Sequence, residues 1–363
     1  MILFLVLILL CCLFRIKWSD DCYFDDFLDR KQTDAIKGVF ILFVFMRHIL
    51  QYIKKSGFEF VSFDDKFFGL VDAVAGQLIV VMFLFYSGYG VMESIRNKGK
   101  PYISSIPKHR ILPTLINFDV AVLFFIAVAA FFGKILTVKQ VALSMLCWES
   151  VGNSNWYIFD IILCYFITFV TFRFAKTDKR SIALGGGLVV ISIIVLALAS
   201  KPTCWYNTLL AYFAGMTFSV YKEKVVTVWK EKYWIIWFVS GSIFVGIHAL
   251  TYSIMPGSPI WIAVYNVDAV VFALFVVQTT MKLKVSNAIL IWFGVNLFPL
   301  YIYQRLPMIV FYEMDEGMFV RNNVPVYVLI SFVISCVIAY LYRFWRYPFA
   351  SLVFFKKKER NKI

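Results

Sequence analysis

The chain has 363 residues, of which 61% are hydrophobic and 19% aromatic, whereas only 16% are charged. A soluble protein carries about 25% charged residues, so this composition excludes a soluble globular enzyme, a disordered chain and a secreted disulfide scaffold. It indicates a membrane protein with many helical spans. The formal net charge of +14 is typical of loops that face anionic lipid headgroups in the cytoplasm, and we do not interpret it as a nucleic-acid-binding surface.

Long apolar segments follow one another along the whole chain. Each is close to the ~20 residues that a helix needs to cross ~30 Å of hydrocarbon. They are continuously apolar rather than alternating, which excludes a transmembrane β-barrel. The sequence therefore predicts an all-α, polytopic transmembrane helical bundle with ten core spans and one extra N-terminal span. The eleven segments are 1–16, 35–53, 74–95, 111–133, 155–175, 181–199, 205–221, 233–254, 259–282, 287–311 and 325–346.

The first segment differs from the other ten. It resembles the core of a signal peptide, but no positive charge precedes it and no clear small-residue cleavage site follows it, so we interpret it as a retained span. The predicted organisation is an extra span with a cytoplasmic connector at 1–30, a membrane domain at 31–350 and a basic cytoplasmic tail at 351–363.

Lysine and arginine are concentrated in every second loop. The connection 96–110 holds five basic residues and no acid, whereas 313–323 is acidic and 255–258 has no basic residue. Cytoplasmic loops of membrane proteins are the ones enriched in lysine and arginine. We therefore expect a multi-pass protein of the cell membrane with 96–110, 222–232 and the C-terminus in the cytoplasm.

The seven cysteines give no sign of a metal site. The sequence contains no CxxC pair and no Cys/His spacing of the kind that holds zinc. We expect no bound metal and interpret the cysteines as small buried hydrophobic residues.

Ionisable residues inside predicted spans are costly and are candidates for a functional site. Lys37 lies at the predicted cytoplasmic mouth of the span 35–53, and His48 follows eleven residues later. This spacing is about three helical turns, or roughly 16 Å along the axis, so both side chains share one face of the helix. His48 is thereby placed in the outer half of the membrane, as a titratable site residue or as a hydrogen-bonded interface histidine.

Further polar residues fall on the same outer level. Glu149 and Asp160 are carboxylates that could orient the ring of His48 and stabilise its protonated form. The sequence does not decide which acid does so. Gln304 and Arg305 belong to the same level, and the outer connection 134–154 contains an apolar stretch too short to span.

Basic residues gather on the inner level. Lys37, Lys108 and Arg110 lie at the predicted cytoplasmic ends of two helices. They form either a clamp for a cytosolic phosphorylated ligand or ordinary positive-inside charge. The chain contains no Walker loop and no GxGxxG fingerprint, and the glycine run 185–187 is typical of helix packing.

Several short motifs occur together in a recognisable order. Their combination resembles the membrane acyltransferase-3 family over roughly residues 30–350. That family comprises integral-membrane O-acyltransferases that decorate bacterial surface polysaccharides. Lysine stands at 37 where the family commonly has arginine, Pro107 takes the place of the first arginine of Arg-x-x-Arg, and Gln304 stands where many members carry histidine. The motifs are KGVFILFVFMRH (Lys37, His48), MFLFYSGYGVMES (Ser87), KHRILP (Lys108, Arg110), NWYIFDIILCY (Trp156) and FGVNLFPLYIYQRLP (Gln304, Arg305).

The resemblance implies transfer of an acyl group, usually acetyl, from cytosolic acetyl-CoA to a hydroxyl of an exoplasmic or lipid-linked polysaccharide. Acyl-CoA is a co-substrate, no cofactor is permanently bound, and the expected partners are the glycan acceptor and membrane lipids, not nucleic acid. The general base would be His48, assisted by Asp160 or Glu149, since a histidine that titrates near neutrality can take a hydroxyl proton. The implied donor-binding residues are Lys37, Lys108, Arg110 and Ser87, and the implied acceptor-binding residues are Trp156, Gln304 and Arg305.

Two alternative functions would also explain ionisable residues inside the predicted spans. A transporter or flippase for a lipid-linked glycan or a small anion would show inverted repeats and Gly/Pro-broken helices in corresponding halves, and no such symmetry is visible. A polysaccharide polymerase would need large outer loops with several arginines, whereas the predicted outer loops are short.

Overall fold

The structure is a computed structural model that describes residues 2–175 and 177–354. Lys176 and the end of the predicted basic tail, residues 355–363, lie outside the described residues. The prediction of an all-α membrane protein is confirmed, since the described chain is almost entirely helical and pairs only two short strands. The helices are α1 (Ile2–Leu13), α2 (Arg30–Lys55), α3 (Phe63–Ala75), α4 (Leu78–Lys98), α5 (Lys100–Ile106), α6 (Leu112–Phe131), α7 (Val138–Met145), α8 (Trp156–Phe174), α9 (Asp178–Leu198), α10 (Leu210–Glu231), α11 (Tyr233–Ser253), α12 (Pro259–Thr280), α13 (Ala288–Val295), α14 (Leu297–Tyr303), α15 (Arg305–Glu313), α16 (Met318–Asn322) and α17 (Val324–Phe354).

Two short elements complete the chain. A π-helical turn at Pro107–Ile111 joins α5 to α6, and a 3₁₀ turn occupies Thr203–Trp205. Strands β1 (Lys17–Trp18) and β2 (Leu283–Lys284) pair antiparallel, which ties the segment after α1 to the end of α12.

Eight described helices are long and apolar enough to cross a membrane, and all eight overlap predicted spans. The other three predicted spans take a different form. The segment 1–16 forms a helix of 12 residues, about 18 Å long and thus shorter than ~30 Å of hydrocarbon. The segment 205–221 is part of α10, which has charged residues from its middle onward. The segment 287–311 is broken into three short helices.

Glycines bring two pairs of helices into backbone contact. A Cβ on Gly88 of α4 would lie 1.9 Å from the carbonyl oxygen of Tyr212 in α10, and one on Gly215 would lie 2.1 Å from that of Phe85. Small residues permit this approach between helices in a membrane. Helices α2 and α13 also come into backbone contact at a glycine, since a Cβ on Gly38 would lie 2.0 Å from the Leu290 carbonyl oxygen. These contacts fix α2 and α4, the two helices that carry Lys37, His48 and Ser87.

The broken helix α13–α15 has an identifiable cause. Pro299 and Pro307 have no backbone N–H, so the helical hydrogen bonds to residues four positions earlier are missing. The chain leaves helical geometry at Asn296 (φ −94°, ψ 18°). Gln304, between α14 and α15, keeps helical dihedral angles (φ −58°, ψ −25°), and only the helical hydrogen-bond pattern is interrupted there. The second break places the side chains of Gln304 and Arg305 beside α2 and α8.

Candidate functional site

A cavity of about 300 Å³ opens between α2, α4, α8, α14 and the turn that begins α6. Lys37 and Arg110 line it at the end that the loop charges assign to the cytoplasm, and Ser87 lines it deeper in the bundle. The Nζ of Lys37 lies 2.6 Å from Oδ1 of Asp34. The structure thus brings together three of the four residues that the sequence analysis assigned to the donor.

The fourth predicted donor residue lies elsewhere. Lys108 is exposed on the π-helical turn and does not line the cavity. Helical residues two positions apart point in different directions. Arg110 is also exposed, but of these two basic residues it is the one that lines the cavity. Of the predicted clamp of Lys37, Lys108 and Arg110, the cavity therefore brings together Lys37 and Arg110, and their role in donor binding stays a prediction.

The interior of the cavity is lined by hydroxyl-bearing side chains, several of them tyrosines. The hydroxyls of Ser87 and Tyr165 are 2.9 Å apart and share a hydrogen bond. Tyr157 and Tyr165, both from α8, line the wall opposite α4. The cavity therefore runs from two cations at one end to hydroxyl groups in the middle of the membrane.

His48 lies beyond the far end of this cavity and is buried, with 6% of its surface exposed. Its Nδ1 lies 3.0 Å from Nε2 of Gln304, and its Nε2 lies 3.3 Å from Oγ of Ser154. Both ring nitrogens thus have partners from distant parts of the chain. The group that holds the ring is an amide, whereas the sequence analysis expected a carboxylate.

Arg305 completes the group around His48. Its Nη1 lies 3.5 Å from Ser154 Oγ, and its Nε and Nη2 donate to the hydroxyl of Tyr52 at 3.4 and 3.3 Å. We refer to His48, Ser154, Gln304, Arg305 and Tyr52 as the His48 cluster. It combines a titratable ring, a hydroxyl and a fixed positive charge.

Neither predicted acid reaches His48. Asp160 is fully buried on α8, and neither of its carboxylate oxygens has a hydrogen-bond partner among the described residues. The backbone oxygen of Glu149 accepts from the Asn155 side chain, and its carboxylate makes no hydrogen bond to His48. In this structure the Gln304 amide, and not a carboxylate, lies at Nδ1, and the assisting role of either acid stays a prediction. Trp156 is half-buried at the start of α8 and packs its ring against Tyr157.

Two tyrosines separate the cavity from the His48 cluster. Tyr157 lines the cavity and packs against Tyr301, with ring centroids 5.2 Å apart. Tyr301 in turn lies against the ring of His48 at 6.1 Å. A movement of these two rings would join the donor cavity to the His48 cluster.

The loop that delivers Ser154 is held by its own polar residues. The Asn155 side chain donates to the Cys147 carbonyl oxygen at 2.9 Å, and the Asn153 side-chain oxygen accepts from the Val151 N–H at 3.0 Å. Lys201, from the loop after α9, donates to the Trp148 carbonyl oxygen at 2.7 Å and lies over that ring. Burial lowers the pKa of the Lys201 amine, while the charge of Glu149 acts to raise it.

A second polar group lies at the same end of the bundle. His248 Nδ1 lies 2.7 Å from an oxygen of Asp268, and its Nε2 lies 3.0 Å from the Val74 carbonyl oxygen. The ring also lines a separate pocket of about 290 Å³ that includes Arg47. Both ring nitrogens are engaged in holding α3, α11 and α12 together.

Comparison with known proteins identifies the class. A family model described as an acyltransferase domain matches residues 30–344. The match covers most of the chain, so the chain belongs to the acyltransferase-3 family, and the protein is a membrane acyltransferase. No curated protein and no solved structure matches the chain.

Proposed function

We propose that the protein is an O-acyltransferase that moves an acyl group, with acetyl as the first candidate, from cytosolic acyl-CoA to a hydroxyl of an exoplasmic or lipid-linked polysaccharide. One observation carries the proposal. A cavity lined by two cations is also lined by Tyr157, whose ring contacts Tyr301, and Tyr301 contacts the ring of the buried His48.

The donor binds at the Lys37 end. The phosphates of acyl-CoA are anionic, and Lys37 and Arg110 supply positive charge where they would enter. A volume of about 300 Å³ is small for a ligand site, so the cavity takes the pantetheine arm while the nucleotide stays at the mouth. The arm then presents its thioester toward Tyr157.

His48 acts as the general base. A glutamine amide can present either its NH₂ or its oxygen at a given position. In the structure Nε2 of Gln304 lies at Nδ1. The proposed base requires the amide turned over, so that its oxygen accepts from Nδ1–H and Nε2 of His48 keeps the lone pair that takes a hydroxyl proton. The acceptor approaches from the opposite side of the membrane, where Arg305, Gln304 and Trp156 lie. Asp160 and Glu149 are retained as candidate assisting acids, without a hydrogen bond to His48.

The function is tested on the glycan itself. The surface polysaccharide of a deletion strain is compared with that of the same strain expressing the protein, and ester-linked acetyl is quantified after mild alkaline release. The expected result is loss of the ester in the deletion strain and its return on expression. Equal ester content in both strains would contradict the proposed acetyl transfer.

A transporter for a lipid-linked glycan is the alternative, and the broken helix α13–α15 is a feature that transporters also use. The two functions differ in their need for a donor. Acyl transfer by purified protein requires acyl-CoA and yields free CoA, whereas glycan movement across vesicles does not.

A further inference from the structure

Ser154 occupies a position in the His48 cluster that the proposed reaction does not use. Its Oγ lies 3.3 Å from His48 Nε2, and the opposite ring nitrogen lies 3.0 Å from the Gln304 amide. A hydroxyl next to a histidine that is itself oriented by a third group is the arrangement that activates a serine nucleophile. The three residues come from α2, the loop before α8 and the break between α14 and α15, so the fold assembles this arrangement from separate elements.

The surroundings of Ser154 suit the negatively charged tetrahedral intermediate that forms when a hydroxyl attacks a thioester. The helix α8 has 19 residues and begins two positions after Ser154, and its N-cap residue Asn155 provides no side-chain cap. The Asn155 side chain turns away and donates to carbonyl oxygens of the preceding loop. The positive end of the helix dipole and the guanidinium of Arg305, 3.5 Å from Ser154 Oγ, therefore both lie beside the hydroxyl.

The donor has a short path to this serine. Tyr157, one helical turn after Ser154, lines the cavity that we assign to the pantetheine arm. The serine itself is 3% exposed, so an ester formed there is protected from hydrolysis by bulk water. Two separate half-reactions remove the need for the thioester and the glycan to reach the buried cluster at the same time.

We propose that Ser154 carries the acyl group as an ester between two half-reactions; this inference rests on the proposed acyl transfer. In the first, Ser154 Oγ attacks the thioester carbonyl carbon while His48 Nε2 takes the hydroxyl proton. The C–S bond breaks, and CoA leaves as the thiol with the proton from His48. In the second, His48 takes the proton of the acceptor hydroxyl, whose oxygen attacks the ester carbonyl. The bond to Ser154 Oγ breaks, and the serine recovers its proton.

The experiment measures the first half-reaction alone. Purified protein in detergent is given acetyl-CoA and isotopically labelled free CoA without any acceptor, and label entering acetyl-CoA is followed. An acyl-serine intermediate requires this exchange. We expect Ser154→Ala to lower its rate at least about 100-fold, the scale of a lost catalytic group, while acetyl-CoA binding persists. Mass spectrometry of the wild-type peptide containing Ser154 should show one added acetyl group.

Two further variants separate a nucleophile from a structural residue. Ser154→Cys supplies another nucleophile and should retain exchange, with acetyl on the cysteine. Ser150→Ala removes a hydroxyl from the same loop, where it donates to the Asn153 carbonyl oxygen at 2.7 Å, and should keep exchange within a few fold. An equal loss in Ser150→Ala and Ser154→Ala would assign the effect to the loop and overturn the inference.

The proposed function and this inference can fail separately. Wild-type protein that acetylates glycan but shows neither exchange nor acetyl on Ser154 would overturn the serine ester and leave acyl transfer standing. Exchange at the wild-type rate in Ser154→Ala would likewise exclude Ser154 as the carrier. Absence of both glycan transfer and exchange would contradict the proposed function, and the serine ester with it.

Discussion

At the scale of single residues, the ring of His48 is held between an amide and a hydroxyl. Gln304 contacts Nδ1 and Ser154 contacts Nε2, while the carboxylates of Asp160 and Glu149 make no hydrogen bond to the ring. A neutral amide fixes the orientation of the ring without adding a charge. The proposed base therefore depends on Gln304 for its geometry, and Arg305 supplies the charge in the cluster.

The first prediction concerns His48→Ala. A positioned general base contributes ~10²–10⁴-fold in rate. We therefore expect the rate of acetyl transfer to glycan to fall by at least about 100-fold. Acetyl-CoA binding should persist, because His48 does not line the donor cavity. His48→Gln should be equally inactive, since an amide cannot take the proton. The matched control is His109→Ala, an exposed histidine, which should keep most of the activity; wild-type transfer by His48→Ala would remove the catalytic role.

The second prediction concerns the donor end. Arg110→Ala should raise the apparent KM for acetyl-CoA, since a charge-assisted contact to phosphate is lost, and Lys37→Ala should act in the same direction. Lys37→Arg should retain activity because it keeps the charge and restores the residue common in the family. The comparison variant is Lys108→Ala, two positions from Arg110 but outside the cavity, and its effect on KM should be smaller. Equal changes of the apparent KM in the Arg110 and Lys108 variants would contradict a specific donor contact, and both residues would then be ordinary positive charge of a cytoplasmic loop.

Sequence spacing predicted the helix that carries Lys37 and His48, and the family resemblance assigned Ser87 and Arg110 to donor binding, which the structure places on one cavity with Lys37. The sequence analysis missed Ser154 and Tyr301. The reason is that His48 meets Ser154 across 106 positions of the chain and Gln304 across 256, and helical periodicity gives no information on contacts between separate helices. The polar run from 152 to 155 was a usable signal, because polar residues just before an apolar helix need partners in the bundle.

At the scale of whole elements, two features were beyond sequence analysis. The segment 287–311 reads as one continuous span, yet it forms three helices because two prolines interrupt the hydrogen bonds within it. The first segment reads as a span, yet its helix has only 12 residues. Phe4 on this helix packs against Phe45 and Phe332 with ring centroids 5.4 Å apart. The first helix therefore packs against α2 and α17, the two elements nearest the histidine side of the bundle.

The third prediction tests the contact between α4 and α10. A Cβ on Gly88 would lie 1.9 Å from a backbone oxygen of α10, and backbone cannot move aside as a flexible side chain can. Overpacking of this kind costs about 1–3 kcal/mol or more, so Gly88→Ala should lower the thermal unfolding midpoint in detergent. Gly90→Ala, on the same helix with no atom within 4 Å of its added Cβ, is the matched control. Equal midpoints for both variants would show that the helices separate freely at this contact.

At the scale of the whole molecule, charge is arranged along the membrane normal. The end that is predicted to lie outside still carries basic residues, but acids neutralise them. Arg47 and Lys54 both pair with Asp72, at 3.2 and 3.7 Å, and Lys134 pairs with Glu313 at 2.5 Å. The basic loops at the opposite end are the ones that the positive-inside rule predicts to lie in the cytoplasm.

The last prediction is the orientation itself, because the two-sided reaction requires the Lys37 end in the cytoplasm. Single cysteines are placed at exposed positions in a background in which all seven native cysteines are replaced by serine, and intact cells are treated with a membrane-impermeant maleimide. Met255→Cys and Met314→Cys, at residues that are 73% and 66% exposed, should be labelled in intact cells. Lys100→Cys and Lys224→Cys should be labelled only after the membrane is opened. The reverse pattern would place the donor cavity outside, where cytosolic acyl-CoA cannot reach it, and would contradict the proposed reaction.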